Sequence, residues 1–201
     1  PKMRRGQPGR SGWEAQRSEQ RETRASFRFR SPSPEATHAV ARALSSVLEE
    51  GGLVIALSGP LGAGKTGFVK GLAEGLGLDP GIVSSPTFVI AHEYPVARLG
   101  MRLVHLDLYR LERAAELEAT GFLDVLDECS VVAIEWADRI PSALPPDHLE
   151  IELSGPVPSG SEAERFISVL AHGLLSASVL RRWRLCLGIS GTVEVENLGC
   201  P

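Results

Sequence analysis

The chain has 201 residues, 43% of them hydrophobic, and a formal net charge of −4. A chain of this size supports one domain with a single core, and its weakly acidic charge excludes a strongly basic nucleic-acid-binding protein. Three cysteines without a paired spacing exclude a disulfide framework, and no apolar run reaches the about 20 residues of a membrane span. We therefore expect a cytoplasmic protein with no membrane contact.

The two ends of the chain differ from its middle. Residues 1–25 are rich in Arg and hold almost no apolar residues. Such a segment buries too little surface to offset its ordering entropy, so we predict a disordered arm, with nucleic-acid binding as the alternative. Residues 26–175 carry the apolar patterns of one domain. Residues 176–201 form a tail to which the sequence assigns no structure.

The domain is predicted to begin with a strand, a helix and a second strand. Alternating Phe and Arg over Phe27–Arg30 indicates a short strand. Ser33 followed by Pro34 is typical of a helix start, with Ser33 as the N-cap. The continuous apolar run over Leu53–Ser58 then predicts a strand buried on both faces, as in a parallel sheet.

A second helix and further strands follow. The helix is predicted over Lys65–Leu76, and another helical stretch is expected between Leu111 and Glu128. The predicted strands are Phe88–Tyr94, Leu103–Tyr109, Val131–Trp136, His148–Leu153 and Arg165–Leu170. This alternation predicts an α/β domain with a central, mostly parallel sheet, and the last two strands are expected to form a hairpin at its edge.

The segment Gly59–Thr66, GPLGAGKT, has the spacing of a P-loop and lies between the buried strand and the second helix. Gly62 and Gly64 permit backbone conformations that turn successive N–H groups toward phosphate oxygens. Lys65 is predicted to reach the β- and γ-phosphates and Thr66 to ligate Mg²⁺. The pattern predicts a bound nucleoside triphosphate, and the lack of an Asn-Lys-x-Asp string favours ATP over GTP.

A magnesium site also requires a carboxylate, which P-loop proteins take from the end of a neighbouring strand. Glu135 follows the four apolar residues Val131–Ile134. A carboxylate there is costly to bury without a cation or partner, so Glu135 is the predicted metal ligand beside Thr66. The alternative places Glu135 beyond the strand in solvent. Trp136 is interpreted as a packing residue, with a stacking surface for adenine as the alternative.

Polar residues also share one face of the predicted strand Leu103–Tyr109. The strand period of two puts His105 and Asp107 on the same side. Asp107 is therefore predicted to position the attacking water or a magnesium-bound water, with pairing to Arg110 as the alternative. His105 is either a polar member of the site beside Asp107 or an ordinary hydrogen-bonded histidine of the core.

The segment Ser84–Phe88 lies between the P-loop helix and the next strand. Loops that sense a γ-phosphate occur at this position, and Thr87 is the candidate for that contact. A plain Ser/Pro turn is the other interpretation.

Four strings, GPLGAGKT, SSPTF, HLDLYRL and IEWADRIP, occur in this order within about residues 26–171. Together they resemble the TsaE family of bacterial ATPases. The resemblance implies a P-loop NTPase fold, a three-layer sandwich with helices on both faces of a central sheet. It also implies ATP hydrolysis with Mg²⁺ during synthesis of threonylcarbamoyladenosine in tRNA, with TsaD and TsaB as partners and tRNA reached only through that complex.

By position, the resemblance agrees with catalytic roles for Lys65, Asp107 and Thr87, and with magnesium binding by Thr66 and Glu135. It further implies a contact with the nucleotide base near the start of the first helix. The nucleotide-binding residues predicted in this way are Gly59, Gly62, Ala63, Gly64, Lys65, Thr66 and Thr37.

Two other functions stay open at the level of sequence. One is a nucleotide-dependent binding module, in which ATP holds a surface for TsaD and hydrolysis is incidental. The other is a P-loop small-molecule kinase, although the middle of the chain lacks an Arg-rich segment of the sort that covers phosphates in such kinases.

Overall fold

The computed structural model describes residues 26–48, 52–86, 91–97, 100–156, 164–190 and 195–196. Within these ranges the strands form one eight-stranded sheet. They are β1 (Ser26–Ser31), β2 (Leu53–Ser58), β3 (Ala91–Val96), β4 (Met101–Asp107), β5 (Ser130–Glu135), β6 (Leu149–Leu153), β7 (Arg165–Ala171) and β8 (Val195–Glu196). Their order across the sheet is β3-β4-β5-β2-β6-β7-β1-β8.

The centre of this sheet is parallel. Strands β4, β5, β2 and β6 run in one direction. Antiparallel strands flank them, β3 on one side and β7 on the other, followed by β1 and β8. Because β2 lies between two strands and under covered faces, nearly all of its residues are buried, which explains its continuous apolar sequence.

Four α-helices lie in the described ranges. They are α1 (Pro34–Ser46), α2 (Lys65–Gly75), α3 (Ala114–Glu118) and α4 (Leu174–Ser190). The predicted start of α1 is confirmed, because Ser33 Oγ accepts a hydrogen bond of 3.2 Å from Ala36 N and Pro34 opens the helix. Single 3₁₀ turns occupy Pro80–Ile82, Phe122–Val125, Ala137–Arg139 and Pro141–Ala143.

The sheet separates two apolar cores. Ile55 and Leu57 of β2 pack in the core that α1, α2 and α4 cover, whereas Val54 and Ala56 pack on the other face, with α3 and the short 3₁₀ turns. The alternation follows from the strand period of two. The predicted α/β class and layered architecture with a parallel centre are thereby confirmed.

Two of the predicted elements differ from the structure. The helical stretch expected between Leu111 and Glu128 is confirmed in part, as the short helix α3 and one 3₁₀ turn. Gly121 between them adopts a left-handed φ of 79°, which prevents one continuous helix. The hairpin of β6 and β7 is confirmed, but its expected place at the sheet edge is wrong. The N-terminal strand β1 pairs with β7 and so lies outside it.

Helix α4 completes the first core with Trp183. This side chain is fully buried, and its ring lies edge-on to Phe27, Phe29 and Phe68 at centroid distances of 5.7, 6.0 and 6.3 Å. The indole N–H donates to Val40 O at 3.1 Å, so the only polar group of the side chain is satisfied.

The packed domain therefore extends past residue 175, into the segment whose structure the sequence left unassigned. The predicted arm at residues 1–25 lies outside the described residues. Among the described residues, no helix is both long and apolar enough to cross a membrane.

The close crossing of α1 and α2 at Gly71 gives a first prediction. A Cβ at this position would lie 2.3 Å from His38 O and 2.9 Å from Ala41 Cβ, so one helix would have to move. We expect Gly71→Ala to lower the free energy of unfolding by about 1–3 kcal/mol, despite the higher helix propensity of alanine. Urea unfolding measures the change.

The matched control is Gly188→Ala in α4, where an added Cβ meets nothing within 4 Å. This variant should lose no stability and can gain up to about 1 kcal/mol from helix propensity. Equal stability of the two variants would contradict the close helix crossing.

Candidate functional site

Three parallel strands bring the predicted site residues to one edge of the sheet. Strand β2 runs directly into the Gly59–Thr66 loop, β5 ends at Glu135 and β4 ends at Asp107. In the register, Leu57 of β2 and Asp107 of β4 both lie opposite Glu135. Since parallel strands end at the same edge, both carboxylates lie beside the loop, as the sequence patterns predicted.

The loop has the backbone conformation that its glycines permit. Gly62 and Gly64 have φ values of 79° and 102°, in the left-handed region that is costly for other residues. Helix α2 begins immediately afterwards at Lys65. The N–H groups of its first turn therefore face the same space as the loop and form a site suited to anionic oxygens.

Lys65 is covered by its own loop and by an aromatic ring. Its ammonium donates hydrogen bonds to Gly59 O at 2.7 Å and to Pro60 O at 3.0 Å. It also lies 3.6 Å from the centroid of the Trp136 ring, a cation–π contact. As a result, only 4% of Lys65 is exposed.

The surroundings of Lys65 act on its charge in opposite directions. Burial lowers the pKa of this ammonium, whereas the nearby carboxylates of Glu135, Asp138 and Asp107 raise it, and the net shift is downward. The ammonium is thus poorly hydrated, so its attraction to an anion is stronger than it would be in water.

Glu135 joins the P-loop helix to strand β4. Its side chain is 3% exposed, which rules out the alternative position in solvent. Glu135 Oε1 accepts a hydrogen bond from Thr66 Oγ1 at 2.8 Å and lies 2.8 Å from His105 Nε2. Because a carboxylate oxygen accepts, His105 Nε2 is the donor to Glu135, and His105 Nδ1 has no hydrogen-bond partner among the described residues. His105 is therefore a core histidine that orients Glu135.

The oxygen donors at this point fit a magnesium ion. Thr66 offers a hydroxyl, and Glu135 and Asp107 offer carboxylates beside it. Mg²⁺ prefers such oxygen ligands and keeps several waters. The two predicted metal ligands, Thr66 and Glu135, are in direct contact, so one ion can replace the hydrogen bond between them.

Asp107 connects strand β4 to the loop after α2. Its side chain is 5% exposed, Oδ2 accepts from Ser85 Oγ at 2.5 Å and Oδ1 accepts from Tyr109 N at 2.9 Å. The face predicted for His105 and Asp107 is confirmed, since Val104 and Leu106 lie in the opposite core. Ser85 is an additional site residue, and Thr87 lies outside the described residues.

Thr37 lies in the first turn of α1 and is 2% exposed. Its hydroxyl bonds with Ser31 Oγ at 2.8 Å and with Ser33 O at 3.2 Å, which ties β1 to the helix start. These contacts give Thr37 a structural role, and its contact with a nucleotide base stays a prediction.

Arg165 was not identified from the sequence. It opens β7, is 8% exposed and donates from Nη1 to Ala63 O, with Gly62 O at 3.5 Å. A Cβ at Gly64 would lie 2.9 Å from the same nitrogen. The guanidinium of Arg165 therefore holds the P-loop backbone to strand β7. The available signal was an arginine that opens an otherwise apolar strand.

Trp136 has a more specific position than the packing role predicted for it. It is the only non-glycine residue with positive φ among those described, at 58°. Residues with a Cβ rarely adopt this backbone conformation. In it, the indole of Trp136 contacts the Lys65 ammonium, and its ring centroid lies 5.1 Å from that of Tyr109. The aromatic pair forms one wall of the site.

Comparisons with known proteins show the family to which the chain belongs. Residues 31–162 match the family model described as "Threonylcarbamoyl adenosine biosynthesis protein TsaE". The tRNA threonylcarbamoyladenosine biosynthesis protein TsaE of Bacillus subtilis is 40% identical over 147 residues, covering 73% of this chain and 87% of that protein. The protein of the same name from Streptomyces coelicolor is 40% identical over 132 residues, covering 66% and 88%.

A solved structure is also similar. The crystal structure of Bacillus subtilis YdiB has a TM-score of 0.60 and 30% identity, and the match covers 81% of this chain and 96% of that one. The fold class predicted from the P-loop pattern is confirmed, and the family model spans more than half of the chain. The chain belongs to the TsaE family of tRNA threonylcarbamoyladenosine biosynthesis proteins.

Proposed function

We propose that this chain binds MgATP at Gly59–Thr66 and hydrolyses it, acting with TsaD and TsaB in the synthesis of threonylcarbamoyladenosine in tRNA. Family membership supports the role in tRNA modification, and the P-loop fold supports nucleotide binding. The observation that carries the proposal is the convergence of Lys65, Thr66, Asp107 and Glu135 at one sheet edge.

The loop and Lys65 would hold the phosphates. Backbone N–H groups of the loop and of the first turn of α2 would contact phosphate oxygens, apart from that of Ala63, which donates to Pro60 O at 3.1 Å. The Lys65 ammonium would exchange Gly59 O and Pro60 O for phosphate oxygens. Trp136 keeps water from the ammonium, so the charge acts in a medium of low dielectric.

Thr66 and Glu135 would hold the magnesium ion. When bound, Mg²⁺ neutralises charge on the β- and γ-phosphates. The Nε2–H of His105 holds the Glu135 carboxylate in place, as partners of metal ligands commonly do. This gives His105 a positioning role toward the metal ligand.

Asp107 would orient the attacking water. Its carboxylate is held by Tyr109 N and Ser85 Oγ, so its direction is fixed before substrate binds. The Ser85 contact also links Asp107 to the segment that continues toward Thr87. Through the same carboxylate, that segment would respond to the γ-phosphate.

Asp107→Asn separates hydrolysis from binding. Asparagine keeps the size of the side chain but is not a base, so we expect turnover to fall about 100-fold or more while the Kd for ATP stays within a few-fold. Radiolabelled ATP hydrolysis and calorimetry measure the two quantities. Asp124→Asn, at an exposed position in a 3₁₀ turn, is the control and should match the parent.

The same variant distinguishes the ATPase from a binding module. If hydrolysis drives the assembly, tRNA modification reconstituted with TsaD and TsaB should fall together with turnover. Full modification by an Asp107→Asn protein that no longer hydrolyses ATP would instead assign this chain to the nucleotide-dependent binding modules.

Glu135→Gln tests the metal assignment. A neutral amide is a poor ligand for Mg²⁺, so we expect the Mg²⁺ concentration for half-maximal ATP turnover to rise at least about 10-fold. Glu118→Gln, at an exposed position of α3, is the control. An unchanged Mg²⁺ requirement would remove Glu135 from the metal site.

Arg165→Met tests whether the guanidinium organises the loop. The variant keeps the aliphatic stem but loses the donor to Ala63 O, and charged hydrogen bonds of this kind contribute about 1.5–3 kcal/mol. We expect the Kd for ATP to rise about 10-fold, measured by calorimetry. Arg42→Met, an exposed arginine paired with Glu74, is the control and should leave ATP affinity unchanged.

A further inference from the structure

A second cluster of ligating side chains lies on the opposite face of the sheet from Glu135. It consists of His148, Glu150 and His172, each able to place one ligand atom within 4.8 Å of the other two. Glu150 lies opposite Ala56, whose side chain belongs to the α3 face of the sheet. The magnesium site on the other face uses none of these residues.

The hairpin of β6 and β7 holds the two histidines side by side. His148 immediately precedes β6 and His172 immediately follows β7, and the backbone joins them through His172 N donating to His148 O at 3.0 Å. Their rings stack with centroids 4.1 Å apart. Glu150, two residues after His148 on the same face, lies 2.6 Å from His172 Nε2 through Oε2.

The ring of His148 is set up as a neutral ligand. Its Nδ1 lies 2.7 Å from Pro145 O, and because a carbonyl oxygen only accepts, the proton belongs to Nδ1. The lone pair is then on Nε2. A backbone carbonyl on the second nitrogen is the usual partner of a metal-ligating histidine.

The cluster borders a cavity with room for further ligands. The cavity has a volume of about 350 Å³ and is lined, besides the cluster, by Ala56, Ser58, Ala137, Asp138, Pro141 and Leu144. An ion held by three protein ligands at this wall would therefore have space for a bound water. Three protein ligands with one open position is a common arrangement for zinc.

We propose that His148, Glu150 and His172 bind one divalent transition-metal ion, with Zn²⁺ as the expected metal. Two imidazoles and one carboxylate favour such an ion over Mg²⁺, which prefers oxygen alone. A tetrahedral ion with bonds of about 2.0–2.1 Å holds its ligand atoms about 3.3 Å apart. Ligand atoms that are now up to 4.8 Å apart must therefore approach one another, and His172 Nε2 and Glu150 Oε2, now 2.6 Å apart, must separate. Rotation of the imidazole rings about their broad terminal torsion permits this, and the ion takes the place of the proton between His172 and Glu150.

Titration of the full chain with Co²⁺, a spectroscopic substitute for Zn²⁺, tests the proposal. We expect one equivalent to bind, with visible d–d absorption and without thiolate-to-cobalt charge transfer. Zn²⁺ should displace it. Binding in which the charge-transfer band appears would assign the ion to cysteines such as Cys129 or Cys186 and overturn the proposal.

Variants locate the ion. Either His172→Gln or Glu150→Gln should raise the Kd for Co²⁺ at least about 10- to 100-fold. Mutation of a residue that only hydrogen-bonds to a metal ligand already lowers metal affinity by this amount. His38→Gln is the control, because His38 also contacts a carboxylate, that of Glu74, but on α1. Thermal unfolding and ATP binding show that each variant is folded.

The outcomes are distinct. Loss of Co²⁺ binding in the two folded hairpin variants, with retention in His38→Gln, supports the site. Failure of the parent to bind one equivalent, or equal binding by parent and hairpin variants, would make the cluster a hydrogen-bonded contact between strands. The function proposed for Gly59–Thr66 is tested independently, by measuring ATP binding to the parent protein and to the same variants.

Discussion

A buried carboxylate is the constraint on which the site depends. Glu135 is 3% exposed, and a charge so placed is tolerated only where hydrogen bonds or a cation compensate for lost hydration. It obtains them from Thr66 in the P-loop helix and from His105 in β4. One side chain thereby fixes α2 relative to the central strands. The interaction that stabilises the arrangement also places oxygen ligands together.

The sequence was informative wherever the pattern was local. The P-loop spacing, the start of α1 at Ser33 and the strand before Glu135 depend on neighbouring residues, and the structure contains all three. The shared face of His105 and Asp107 followed from the period of a strand. These features need no knowledge of which strands are neighbours.

Long-range pairing was not accessible in the same way. Arg165 follows Ala63 by 102 positions, and only the placement of β7 beside β6 brings its guanidinium to the loop. The edge position of the hairpin was mispredicted for a related reason, because β1 comes from the other end of the domain. The contact between Trp136 and Lys65 was not predictable either, since it depends on the left-handed backbone conformation of Trp136 after β5.

The two faces of the sheet carry different chemistry. On the face under α2, the groups near the loop are oxygen donors around a lysine, which suits phosphate and a hard cation. On the other face, two imidazoles and a carboxylate lie on a hairpin. Glu150 lines both the cavity beside the histidines and a second cavity that reaches Gly59 and Trp136. The two proposed sites are therefore neighbours across the sheet, separated by β2.

The aromatic cluster around Trp183 has a consequence for synthesis on the ribosome. Phe27 and Phe29 emerge early, yet the indole that covers them belongs to α4, more than a hundred residues later in the numbering. Until α4 is translated, these rings and Phe68 lack their cover, and the apolar surface is open to other nascent chains. Strand β1 and helix α4 therefore close the domain together, and folding that proceeds from the N-terminus during synthesis cannot complete this core before α4 is made.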